Sequence, residues 1–67
     1  MRIIIETYPD ADRAAVVRAT TKAALNMKRS GWTKTEAIKA ALFDQISDIY
    51  AIADLDMSGD NIDVRTI

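Results

Sequence analysis

The side chains that could do chemistry in this 67-residue chain fall into a few groups. Asp54, Asp56, Ser58 and Asp60 put oxygen atoms at alternate positions around Gly59, the way a calcium-binding loop of twelve residues opens. The pattern then fails, because its twelfth position, where a bidentate glutamate is needed, is Arg65, and its eighth is Asn61. The acidic stretch 54–63 therefore reads as a helix exit and turn, not as a metal site. Asp44 and Asp48 stand four apart, a spacing at which two carboxylates on a helix can share a cation or divide acid and base roles. No histidine or cysteine exists to join them, which also removes any Cys/His zinc site. No nucleophile has a base in a recognisable arrangement. The expectation is a protein with no catalytic residues, no metal ligands and no cofactor.

Binding chemistry is better represented. Arg18, Lys22 and Arg29 recur at helical spacing with Asn26 nearby, a row suited to phosphate oxygens. No aromatic residues interleave with them to stack on bases. Trp32, Phe43, Tyr50 and Ile4 are the apolar side chains expected to contact a partner, since interface hot spots favour large aromatic groups. Phe43 and Tyr50, seven apart, would lie along one edge of a single helix.

The element expected to organise the chain runs from Thr33 to about Met57. Thr33 and Glu36 have the spacing of a capping box, which would start a helix at Lys34. Ile38, Leu42, Ile46, Ile49 and Ala53 then form one stripe, flanked by Ala41 and Ile52 and by Phe43 and Tyr50. Ahead of it, Arg2–Tyr8 reads as a strand with Ile3, Ile5 and Thr7 on one face. Pro9 and Asp10 open a first helix over about 11–29, capped by Asp10 or Asp12 and closed at Ser30-Gly31. Its inner face is expected to hold Ala14, Val17, Thr21, Ala24 and Leu25, flanked by Val16, Ala23 and Met27. Asn61–Ile67 alternates and reads as a second strand. The resulting fold class is α+β: strand, helix, helix, strand, with a helical hairpin on a two-stranded antiparallel sheet that a second copy would extend.

Length and composition fit one domain over residues 1–67, globular at 49% hydrophobic and 28% charged. A chain this short buries only about 60% of its unfolded surface, which favours a homodimer or a larger partner. The N-terminal run is charged too soon for a signal peptide and no apolar stretch spans a membrane, so a cytoplasmic location is expected. The net charge of −1 conceals a basic first part and an acidic last part: six of the ten carboxylates lie beyond residue 39, with only one of the nine cations.

Pro9-Asp10, a helix, and then Arg29-Ser30-Gly31-Trp32-Thr33-Lys34-Thr35-Glu36 leading into an apolar helix resemble the opening of the second helix in ribbon-helix-helix DNA-binding proteins. The resemblance implies a dimer whose paired strands lie in the major groove, with Thr33, Lys34 and Thr35 at phosphate. The first helix is longer than that family's, isoleucines and Glu6 stand where polar base readers belong, and the second strand is additional. The residues as a whole point to a small, non-enzymatic protein-interaction module, a regulator or inhibitor of the phage or mobile-element kind. The alternative is a dimeric DNA-binding regulator or antitoxin.

Overall fold

The computed structural model describes residues 2–56, 58, 59 and 61–67. It is a mixed α+β domain in the order β1 (Arg2–Thr7), α1 (Arg13–Arg29), α2 (Thr35–Gln45), β2 (Ile49–Asp56) and β3 (Asn61–Thr66). The strands form one three-stranded sheet, β2-β1-β3, with β1 in the middle. β1 pairs antiparallel with β2 and parallel with β3. A two-stranded antiparallel sheet is therefore corrected to three strands, and the direction of the last strand is reversed. The added strand causes the reversal, because it turns the chain once more before β3 begins.

That added strand occupies the second half of the expected long helix. α2 ends at Gln45, and Ile46 leaves it with extended dihedrals, φ −125° and ψ 105°. Ile49, Ile52 and Leu55 are spaced by three, which imitates a helical stripe. In the sheet they oppose Thr7, Ile5 and Ile3, which are spaced by two. The mismatch is absorbed by register shifts at Tyr50 and Ala53, each an extra residue against its partner strand. Two β-bulges thus give a strand a period of three. The expected helix end at Met57 lies outside the described residues.

α1 follows expectation at its ends and departs from it on its faces. Asp12 is the N-cap and its carboxylate accepts from the Ala15 N–H at 3.2 Å. At the other end Trp32 N–H reaches the Met27 carbonyl and Gly31 N–H that of Lys28, with Gly31 at φ +79°. This is a Schellman closure, which needs the left-handed residue that glycine supplies. The buried side is Val16, Thr20, Ala23, Ala24 and Met27. Ala14, Val17 and Leu25, expected inside, are exposed. The helix is rotated because its most continuous buried row, 16-20-23-27, includes Thr20, whose hydroxyl hides it from a search for apolar periodicity.

α2 begins one residue later than the capping box predicts. Lys34 is the N-cap and makes no side-chain cap bond, so the Thr33–Glu36 box does not form. Glu36 instead lies 3.7 Å from Lys39 in an exposed pair. Helix stability here comes from burial, since Ile38 and Leu42 are both fully enclosed, each worth about 1.5–3 kcal/mol.

Both helices cover the same face of the sheet, α1 over β3 and α2 over β2. Ile3, Ile5 and Thr7 point into that layer and are fully buried, as the alternation of β1 predicts. Ile46, Ile49, Leu55 and Val64 complete the core from the other strands and the turn before β2. Among the described residues no element covers the opposite face of the sheet.

Candidate functional site

Alternation along β1 puts Arg2, Ile4 and Glu6 on the uncovered face. Tyr8 N–H donates to the Asp48 carbonyl at 3.4 Å, so pairing continues past Thr7 and Tyr8 extends the same row. Across from this row, the bulges place two β2 residues opposite one of β1. Tyr50 and Ala51 face Glu6, and Ala53 and Asp54 face Ile4. Asn61, Asp63 and Arg65 of β3 complete the face from the other side.

The Tyr8 end of this face carries its two aromatic rings. Tyr8 and Tyr50 are 44% and 54% exposed, yet their rings are ordered edge to face, with centroids 5.5 Å apart and planes at 89°. That geometry brings the positive rim of one ring to the negative face of the other. Two large amphipathic rings thus stand against each other with about half of each open to solvent, and tyrosine is among the residue types that interface hot spots favour. The bulge at Tyr50 is the device that aims the ring outward.

The electrostatics of the face are acidic. Arg2 lies 3.2 Å from Asp54, and Arg65 2.8 Å from Asp63. Among the described residues these two pairs take up both cations of the face, and neither Glu6 nor Asp56 forms an ion pair, though Arg2 stands across from Asp56 and favours its charged form. Asp56 accepts the Ser58 backbone N–H at 2.9 Å and its hydroxyl at 2.8 Å. These bonds, the backbone one foremost, hold the Asp56 carboxyl below its ordinary value. The acidic stretch is therefore not a helix exit: Asp54 and Asp56 end β2, Asp63 lies in β3, and between the strands Ser58 is held by the Asp56 carboxylate. No cluster of three potential metal ligands occurs among the described residues, and Asp60 lies outside them.

Folding turns the basic-to-acidic division of the chain into a division between layers. α1 carries Arg13, Arg18, Lys22, Lys28 and Arg29 and no carboxylate. The open sheet face carries four carboxylates, Glu6, Asp54, Asp56 and Asp63, against Arg2 and Arg65. Arg18, Lys22 and Arg29 lie together on the exposed side of α1, with Lys22 at the rim of a shallow groove between the helices that Asn26 and Gln45 also line.

The four expected partner contacts are separated by the fold. Ile4, half-buried, shares the open sheet face with Tyr50. Phe43 is exposed on α2, so its expected stacking with Tyr50 along one helix edge does not exist. Trp32 stands at the turn between the helices, where with Thr33, Lys34 and Ala37 it lines an open depression. Thr33, Lys34 and Thr35 are exposed around the start of α2. Tyr8 is not among the expected contacts, because in sequence it reads as the last residue of a strand; its signal is the Tyr-Pro pair, which leaves an aromatic ring at a strand end. Asp44 and Asp48 are divided between α2 and the turn before β2 and do not share a helix face.

Strand β1 has neighbours on both edges. It offers no edge to the β1 of a second subunit, so β1 cannot supply the intermolecular ribbon that the ribbon-helix-helix resemblance implies. The chain matches no family model, no curated protein and no solved structure in the comparisons made. No helix among the described residues is long and apolar enough to cross a membrane.

Proposed function

We propose that this protein is a non-enzymatic interaction module, a regulator or inhibitor that acts by laying the open face of its sheet on another protein. The observation that carries this reading is the exposed, edge-to-face Tyr8–Tyr50 pair on a face that no helix covers. The partner surface it fits is basic and contains arginine. Guanidinium groups stack on aromatic faces and pair with carboxylates, and both are present here in the tyrosines, Glu6 and Asp56. The functional form is a homodimer, which would present this face twice to one target.

The test is affinity capture with the intact chain, followed by measured binding to the purified partner. Tyr8→Ala combined with Tyr50→Ala is expected to weaken binding by about a hundredfold, the ~2–3 kcal/mol typical of an aromatic anchor, with an unchanged circular dichroism spectrum. Unchanged binding by that folded variant would refute the reading.

A second reading is favoured by one observation: α1 carries five cations and no acid. It assigns nucleic-acid binding to Arg18, Lys22 and Arg29. Salt separates the two, since phosphate contacts weaken steeply and linearly in log[salt] while an aromatic anchor responds little. Retention of duplex DNA or RNA at low salt, lost on replacing Arg18 and Lys22, would establish it in place of the first.

A further inference from the structure

The two outer strands of the sheet differ in how they end it. β2 is interrupted by two bulges, a common way to spoil an edge for further pairing. β3 has no bulge and keeps an unbroken register with β1. Ile67 N–H donates to the Thr7 carbonyl, which fixes the phase of the parallel ladder. The odd-numbered residues of β3 turn their backbone groups toward β1 and the even-numbered ones, Ile62, Val64 and Thr66, turn theirs outward. Among the described residues, that outer edge has one hydrogen bond, from Arg13 Nη2 to the Val64 carbonyl at 2.6 Å.

We propose that the outer edge of β3 is the homodimer interface, pairing antiparallel with β3 of a second copy about a twofold axis at Val64. This deepens the homodimer part of the reading above and does not depend on the tyrosine face. In that register Val64 opposes Val64, and Ile62 opposes Thr66. All are outward-directed residues, so each opposed pair exchanges both backbone bonds. On the open face Asp63 of each copy then stands opposite Arg65 of the other. Opposite charges directly across antiparallel strands stabilise the pairing and like charges oppose it. Sliding one strand by two residues, the smallest shift that keeps faces matched, would set Asp63 against Asp63 or Arg65 against Arg65. The charge pattern of Asp63-Val64-Arg65 is therefore self-complementary in one register and self-repelling in its neighbours.

The layer above agrees. Arg13 marks the side of α1 that overhangs β3, and Val17 and Thr21 continue that row at intervals of four. Val17 is 37% exposed, an apolar side chain that the single copy leaves in water. Six strands in one sheet would bring the two α1 rows together over the Val64 pair, with small and β-branched residues at the approach. Arg13 currently occupies the acceptor that the Val64 N–H of the second copy would take, so it competes with pairing.

The decisive experiment is a charge-swap cycle followed by sedimentation equilibrium on the intact chain. D63R alone and R65D alone each set like charges across both sides of the axis, and each is expected to raise the dimer dissociation constant about tenfold or more. An equimolar mixture of D63R and R65D restores opposite charges in the heterodimer and is expected to associate as tightly as the unaltered chain. R13A is expected to tighten the dimer several-fold. Hydrogen exchange supplies a readout independent of the variants: amides of Ile62, Val64 and Thr66 gain protection as concentration rises, while those of Asp63 and Arg65, bonded to β1, are protected throughout. A dimer indifferent to both swaps overturns this interface and leaves the dimer reading standing. A chain that stays monomeric at millimolar concentration overturns both.

Discussion

Two threonines are fully buried in this domain, and the same substitution at each is expected to change stability in opposite directions. Thr20 lies on the core side of α1, and its Oγ1 has no hydrogen-bond partner among the described residues. A buried hydroxyl without a partner costs about 1–3 kcal/mol, and valine has nearly the same shape without that oxygen. Valine and threonine also have similar helix propensities, so the backbone contributes little to the difference. Thr20→Val is therefore expected to stabilise the fold by about 1 kcal/mol, taken at the low end because the helix can relax around the site. Thr7, by contrast, donates from Oγ1 to the Arg65 carbonyl at 3.3 Å. Thr7→Val removes that bond and is expected to destabilise by about 0.5–1 kcal/mol, since the bond is long and neutral. For a domain of this size 1 kcal/mol corresponds to roughly 4–8 °C in Tm, so thermal unfolding by circular dichroism resolves both. Shifts of the same sign at the two positions, or a Thr20→Val protein less stable than its parent, would refute the account of the core.

Four further outcomes are expected. Gly59→Ala should destabilise by about 1–3 kcal/mol in urea titration, because its Cβ would collide with the Cβ of Arg2 and come within 3.0 Å of the Arg2 nitrogen; Gly31→Ala should cost about 1–2 kcal/mol for a different reason, its φ of +79°, since the space around it is open. Leu42→Ala should cost about 2–5 kcal/mol, the range for emptying a fully enclosed leucine site. Asp56 should titrate below the ordinary carboxylate value in a carbon-detected NMR titration, and Ser58→Ala should move it back up. The sign is that of a depressed acid: the stabilisation of the Asp56–Ser58 turn is complete above the unfolded value and is lost as pH falls through the folded one.

Local chemistry was readable wherever one residue decides one conformation. Asp12 caps α1, Gly31 closes it, and the alternation of Ile3, Ile5 and Thr7 gives the buried face of β1. Those signals need only the chain within a few residues. The candidate site was partly readable: Ile4 and Tyr50 lie on the open sheet face, whereas Phe43 and Trp32 stand apart from it and Tyr8 was not anticipated.

What only the tertiary structure decided is the identity of the stretch from Ile46 to Asp56. Its apolar residues recur at threes, which in isolation is a helical period. It is a strand because β1 offers it a full edge of backbone partners, and because two bulges reconcile a period of three with one of two. Hydrogen bonds between distant segments appear in no local window of sequence, so a pattern that fits a helix by spacing can be taken by a sheet through pairing. The direction of β3, the edge it leaves open and the meeting of Tyr8 with Tyr50 all follow from that one assignment.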